Sequence, residues 1–522
     1  MTFMTRRHFG HLAAGSAALS AQSPTSVVDI GQRRELFVDR YLVDRLAGSA
    51  ALRLHHPQPR EIVLVHDAEW EGTGSGYHSV FQDGGLYRMY YKAYHLDISS
   101  GKMRADKHPG FCCYAESDDG VRWRKPNLNL VEFQGGKANN IVLASGTFHG
   151  VNLDAAHPAV FKDDNPAAPA NARYKAIVRS ADRKAHGLFA LQSPDGFRWS
   201  PMSAAPVITN GAFDSQNLAF WDPVGKQYRA YWRAFTEGVT NGEAWKPSGL
   251  RAIRTGTSPD FLHWKQSDDL RYVGSPAEQL YTNQVKPYHR APHLLIGFPT
   301  RYLERAWSPS LRALPEPEHR QQRSGASLRY GTAVTEALLM ASRDGVLFNR
   351  WNEAFLRPGA ERPGTWNYGH QYIAWHLVET KSPLAGAANE LSLYASESYW
   401  TGDSSEVRRY SLRLDGFVSI NAGYNGGEIV TKPVRFEGSH LHLNFATSAA
   451  GGVRVEMQTP EGRAIPAFAE ADCDEMFGDA VDRAVSWKGS GDVAKLAGTP
   501  VRLRFVLKDA DLYAFRFAES GK

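Results

Sequence analysis

The sequence predicts an all-β protein: a five-bladed β-propeller followed by a C-terminal β-sandwich. Three observations carry this. Short aromatic strands recur five times, at 86–91, 173–178, 227–232, 293–298 and 390–395. A turn of the form Ser-x-Asp-(Gly)-x-x-Trp keeps phase with them, starting at Ser117, Ser193 and Ser258, with a looser copy at Ser342. Helical periodicity is scarce, while 47 Gly and 28 Pro supply many turns. Five such strand-turn units fit five four-stranded blades.

Taken in order, the first 21 residues stand apart. Thr5-Arg6-Arg7-His8-Phe9-Gly10 resembles a twin-arginine export signal, and 12–21 is a short Ala/Ser-rich apolar run. It is too short to span a bilayer and reads as a removable signal, which predicts a periplasmic or secreted protein. Residues 22–49 read as a lead-in. Residues 50–405 are the propeller, with inner strands expected to start near 78, 157, 214, 281 and 370. In each turn the Asp caps, Gly supplies a positive φ, and Trp is expected to anchor the outer strand on the next blade. The Pro/Glu/Arg-rich stretch 303–329 reads as a lid or insertion in blade four. Residues 406–522 form the sandwich, with short alternating strands at 428–435, 441–445, 453–458, 501–507 and 512–517.

Composition narrows the function. At 42% hydrophobic and 22% charged, the chain is ordinary globular protein, and 13 Trp offer platforms for sugars. A net charge of +5 spread without basic runs argues against nucleic acid. No 18-residue apolar run occurs, so no membrane insertion is expected. Cys112, Cys113 and Cys473 have neither disulfide-framework nor metal spacing and are expected to be unpaired; no metal and no cofactor is expected. Oligomeric state is left open.

A five-bladed propeller with Ser-x-Asp-x-x-Trp turns and a C-terminal sandwich resembles glycoside hydrolase family 32 and its relatives in families 43 and 68. The resemblance covers most of residues 50–518. It implies an oligo- or polysaccharide substrate and three carboxylates at the propeller axis: one from blade one, one from blade two or three, and a Glu acid from a later blade. The family's Trp-Met-Asn-Asp-Pro-Asn, Arg-Asp-Pro and Glu-Cys motifs are absent, so no residue carries over from it.

The candidates therefore come from the strand entrances. In 213–222, Asp214, Ser215, Gln216 and Asn217 precede an apolar strand, which predicts that Asp214 faces the axis with Asn217 beside it. Glycoside hydrolysis needs one ionised and one protonated group. Asp214 is expected as nucleophile or base, Glu278 as general acid and Glu71 as a third carboxylate. His78, His157 and His370 stand at other entrances, and together with Asn217, Tyr281 and Asn283 they would bind hydroxyls. Arg301 would bind a sugar carboxylate or form an ordinary ion pair. Two alternatives stay open: a polysaccharide lyase using Tyr281 and His157 as its proton-transfer pair with Arg301 on a uronate, and a non-catalytic sugar-binding propeller.

Overall fold

A computed structural model describes residues 26–519. The twin-arginine segment lies outside the described residues. Five antiparallel blades are present. Blade one is Gly76–Asp83, Leu86–Ala93, Phe111–Ser117 and Ile141–Ala144. Blade two is Val151–Lys162, Tyr174–Ser180, Leu188–Ser193 and Ser200–Pro201, with Gly146–Phe148 added at its inner edge. Blade three is Leu218–Asp222, Gln227–Thr240, Trp245–Ser258 and Lys265–Asp269. Blade four is Lys286–Tyr288, Ala291–Gly297, Met340–Ser342 and Leu347–Arg350, with Arg271–Tyr272 parallel on its outer edge. Blade five is Val378–Thr380, Glu390–Glu397 and Glu406–Arg413, completed by Gln58–Val65. That last pairing closes the ring, because a strand from before blade one hydrogen-bonds to the final blade.

The Ser-x-Asp turns join the third and fourth strands of blades one to four. In each, the Ser hydroxyl donates to the Asp carboxylate, which in turn accepts two backbone N–H groups; Asp195 takes those of Phe197 and Arg198 at 2.8 Å each. The Trp closes its own turn: the indole N–H of Trp199 donates to the Gly196 carbonyl at 2.9 Å, and that of Trp264 to Phe261 at 2.9 Å. In blade one the Trp also meets the neighbouring blade, as expected, the Trp123 ring standing edge-on to Tyr394 of blade five with centroids 5.6 Å apart, and neighbouring blades grip the turn's own backbone as well. The hydroxyl of Tyr394, in blade five, donates to the Gly120 carbonyl at 2.5 Å, and that of Tyr231, in blade three, to Gly345 at 2.9 Å.

Two buried amides brace the axis. Gln216 Nε2 donates to the Tyr77 carbonyl at 2.8 Å and the Pro158 carbonyl at 3.2 Å. Gln284 Nε2 donates to Gln216 Oε1 and to the Ile373 carbonyl, each at 2.8 Å. These four bonds tie all five blades together beneath the polar entrances.

The second unit draws on both ends of the chain. Its eight-stranded sheet takes Glu35–Leu36, Val43–Gly48 and Ala51–Leu54 from before the propeller. The rest comes from Val418–Ala422, Gly427–Thr431, His440–Gln458, Asp479–Ala484 and Arg502–Ala518. Val28–Gly31 pairs separately with Val434–Phe436. The described part of the expected lead-in, 26–49, thus supplies strands to this unit, because Val28, Ile30, Phe37 and Leu42 are apolar enough to enter its core. The short strands expected at 441–445 and 453–458 are two halves of one long strand, as are those at 501–507 and 512–517. These long strands pair along their length with a break between Thr447 and Gly452, and the sheet curls round Phe445, Val455, Phe505 and Phe515. A second apolar cluster, including Leu36, Phe298, Phe355, Leu393 and Phe417, welds this unit to blades four and five.

Cys112 and Cys113 are buried in blade one and Cys473 in the C-terminal unit; all three are free thiols. Among the described residues, no helix is long and apolar enough to cross a membrane.

Candidate active site

Above the amide brace lies a cavity of about 350 Å³ lined by Tyr77, Asp154, His157, Arg179, Asp214 and Tyr281, among others. Asp214 is carried on the loop before Leu218–Asp222, and Asn217 holds that loop. Its amide donates to the Phe213 and Ser215 carbonyls at 3.0 and 2.9 Å, and its oxygen accepts the Arg233 N–H at 3.1 Å. Asp154 and His157 come from the inner strand of blade two. The pairing there slips between Asp154 and Pro158, and a slip of this kind re-aims side chains at a barrel or propeller mouth.

The two carboxylates form one assembly. His157 Nδ1 is 2.9 Å from Asp154 Oδ2, and its Nε2 is 3.5 Å from Asp214 Oδ1. Arg179 reaches both, at 3.0 Å to Asp154 and 3.3 Å to Asp214, and Arg233 lies 3.5 Å from Asp214. The hydrogen bond from His157 and the guanidinium charges overcome desolvation and hold both carboxyls far below the usual carboxylate range. Both are therefore ionised at neutral pH. They differ in access: the Asp214 side chain is 56% exposed and that of Asp154 15%, so Asp214 is the one that can meet a ligand.

Aromatic side chains build the rest of the wall. Tyr281 and Tyr368 share a hydroxyl–hydroxyl bond of 3.0 Å, and Tyr399 stacks on Trp400 with centroids 5.5 Å apart. Burial raises the Tyr77, Tyr368 and Tyr399 hydroxyls well above their ordinary range, so they remain neutral donors. Tyr77 and Trp400 also take left-handed backbone conformations, φ +53° and +61°, which are uncommon for bulky residues.

The insertion expected at 303–329 roofs this wall. It forms three short helices, Pro309–Ala313, Pro317–Ala326 and Leu328–Thr332, between the paired strands Thr300–Glu304 and Ala333–Ala337. Ser308 caps the first helix, accepting the Leu311 N–H at 3.2 Å, and a proline opens each of the first two. Arg320 and Arg323 are buried and fasten the insertion, donating to the Trp366 carbonyl at 2.7 Å and the Tyr368 carbonyl at 3.2 Å. The third helix presents Arg329 and Tyr330 to the cavity.

Of the residues singled out from sequence, Asp214, His157 and Tyr281 line the cavity. Glu278 does not. The bridge between Leu280 and Arg301 leaves it outside, clamped by Arg301 at 3.1 Å and Arg350 at 2.8 Å. Both guanidiniums hold it away from the cavity lining, so the expected acid role finds no support in its position. Arg301 is itself held by Glu278, Glu336 and the Asn352 carbonyl, away from the cavity lining. Glu71 is fully buried inside blade one, accepting from Tyr91 at 2.5 Å, Lys125 at 2.6 Å and the Ala68 N–H at 3.0 Å.

His78 stacks on His66, with its Nε2 3.1 Å from the His66 Nε2, and burial drops it to about 3. His370 accepts the Trp366 N–H at 3.0 Å and is likewise lowered by burial to about 3. Both are neutral framework residues. Asn283 accepts the Val285 N–H at 3.2 Å and, like Asn217, sets a loop. Asp154 went unmarked in the sequence, although its position three residues before His157 was a visible signal. Lys92, inside an aromatic strand, gave none.

Among the described residues, no cluster of His, Cys, Asp or Glu has metal-holding geometry. A larger recess, about 740 Å³, opens at the opposite mouth, but its Glu379 is tied to His289 and Asn389. The paired carboxylates lie at the first mouth.

No family model and no curated protein matches the sequence. Solved structures similar to this chain include a glycoside hydrolase, at 12% identity and a TM-score of 0.41, over 69% of this chain and 92% of that one. Another is an N-acetylgalactosamine deacetylase from F. plautii in complex with blood group B trisaccharide, at 11% identity and a TM-score of 0.41, over 69% and 94%. A fructofuranosidase from Schwanniomyces occidentalis complexed with fructosylnystose matches over 91% and 98%, at 11% identity and a TM-score of 0.35. None of these scores transfers a substrate or a residue role to this chain.

Proposed function

We propose that the protein is an exported glycosidase that cleaves an oligo- or polysaccharide in the cavity holding Asp154 and Asp214. One observation carries the reading: two ionised carboxylates, joined through one imidazole and one guanidinium, stand on the floor of an aromatic-walled cavity at the propeller axis. Aromatic faces suit sugar C–H faces, and the tyrosine hydroxyls suit sugar hydroxyls.

In this reading Asp214 is the working carboxylate. It attacks the anomeric carbon directly, or deprotonates a water that does. His157 is the group in reach that hands a proton to the leaving oxygen as the C–O bond breaks. Asp154 and Arg179 position it and keep Asp214 ionised. One water is consumed overall. The Arg6-Arg7 segment supports export.

Tyr281 and His157 do line one cavity, and this favours a second reading, β-elimination at a uronate. A lyase would give an unsaturated product absorbing in the ultraviolet, whereas hydrolysis gives none.

The test is release of reducing ends from a panel of plant, bacterial and animal glycans. Wild type should cut at least one of them. Asp214→Asn keeps size and should remain folded by circular dichroism, yet lose activity by roughly 10³-fold or more, as expected when a central catalytic carboxylate is removed. A folded Asp214→Asn protein with wild-type turnover removes the assignment.

A further inference from the structure

Of the cations that face this cavity or stand behind it, two pair with its carboxylates. Arg179 pairs with Asp154 and Asp214. Arg233 stands 3.5 Å from Asp214 and donates its Nε to the Ala212 carbonyl at 2.9 Å. These two guanidiniums balance the two carboxylates. Lys92 and Arg329 also line the cavity, neither in a salt bridge among the described residues, although Asp214 and Asp154 are near enough to favour the charge on Lys92.

Lys92 reaches the cavity from blade one and is only 6% exposed. Its ammonium makes one long hydrogen bond, 3.4 Å to the Tyr399 hydroxyl. It sits 4.9, 5.3 and 5.6 Å from the ring centres of Tyr77, Tyr94 and Tyr399, and the salt bridges among the described residues include none to it. Arg329 approaches from the insertion in blade four. It lies over the Tyr330 ring at 4.6 Å and donates one terminal nitrogen to the Tyr330 hydroxyl at 3.2 Å. Its other hydrogen-bonding neighbour is the Tyr302 hydroxyl, and no carboxylate among the described residues pairs with Arg329. Glu304, on the same hairpin, accepts instead from Tyr302 at 2.9 Å.

A buried cation without a counter-charge is unfavourable, and cation–π contacts recover only part of the loss. Lys92, buried, and Arg329, half-buried, bring positive charge to one sugar-sized cavity with no salt bridge to either among the described residues. We infer that the sugar bound here carries an acidic substituent, a carboxylate or a sulfate, held by Lys92 and Arg329. This rests on the reading that the cavity is a sugar site and deepens it to acidic glycans. Burial lowers the Lys92 ammonium to about 8, so it is charged below that pH, and a neighbouring anion would draw its proton back further.

The test is binding of matched sets by NMR titration at pH 6.5, using the full chain: glucose, glucuronic acid and glucose 6-sulfate, then the three galactose counterparts. At least one acid should bind about tenfold more tightly than its neutral parent, as a charge-assisted contact implies. The carboxylate and sulfate arms identify which group is read. Lys92→Gln and Arg329→Gln, each checked for folding by thermal melting, should lose most of that preference, read as the ratio of acid to neutral-parent affinity. Equal binding within every set, no binding of any acid, or a preference that survives both variants overturns the inference. The hydrolysis reading separates cleanly from it. Acids that bind selectively while their glycosides stay uncut would remove hydrolysis and keep this inference. A neutral glycoside that is cut, with no acid preference, would do the reverse.

Discussion

At the scale of single residues, Lys92 is a charge buried against stability. Burial depresses its pKa from 10.5 to about 8. The charged form is therefore disfavoured in the folded chain, by on the order of 3 kcal/mol at neutral pH, less what Tyr77, Tyr94 and Tyr399 return. Replacing it by Met keeps the length and removes the charge. Lys92→Met should raise unfolding stability by about 1–3 kcal/mol at pH 7, read from urea titration. The advantage should fade between pH 8 and 10.5, because there the unfolded wild type holds a proton that the folded one has lost, so wild-type stability climbs with pH. A Met variant less stable than wild type at pH 7 would show that the cage, not the burial, governs this lysine. Such a residue is hard to read from sequence, since a lysine in an aromatic strand looks the same whether it faces water or a cavity. Glu278 failed for the related reason that a carboxylate beside amides reads alike as an acid or as one half of an ion pair, and only Arg301 and Arg350 decide it. Asp214 was legible because polar residues crowded before an apolar strand have few places to point.

Among elements, the Ser-x-Asp turns were the clearest signal, because each residue has one geometric duty. Gly196 adopts φ +86°, and a Cβ there would overlap the Tyr90 hydroxyl of blade one. Phe261 holds the equivalent position in blade three with φ +72°, where a side chain has room to pack against Phe161. Gly196→Ala should therefore destabilise by about 2 kcal/mol or more through strain and the displaced tyrosine, lowering the urea midpoint with little change in slope. A change within about 0.5 kcal/mol would mean that the turn does not dock its blade. The insertion 303–329 was legible as an interruption of blade four but not as helices. Pro309 and Pro317 read as loop residues until their place at helix N-termini is seen. Two of the insertion's arginines, Arg320 and Arg323, are buried on carbonyls of the loop carrying Tyr368.

For the whole molecule, ring closure and the amide brace explain why the cavity has a rigid floor. Gln216 and Gln284 link strands from all five blades, so Asp214, one loop above, is held relative to Asp154 and Tyr281 by the fold rather than by local contacts. The repeat was legible because five units share one pattern. The dual origin of the C-terminal unit was not, because pairing between 28–54 and 418–518 is non-local and leaves no periodic trace. The most direct measurement is reducing-end release, on whichever glycan wild type cuts, by four single variants of matched shape: Asp214→Asn, Asp154→Asn, Glu278→Gln and Glu71→Gln. Activity should collapse by roughly 10³-fold in Asp214→Asn and fall about 10²-fold in Asp154→Asn, which loses the group that holds His157. In Glu278→Gln and Glu71→Gln, compared at equal folded fraction, it should stay within about threefold of wild type, since neither carboxylate lines the cavity. The opposite pattern, with Glu278→Gln or Glu71→Gln inactive while folded and Asp214→Asn active, would contradict the account.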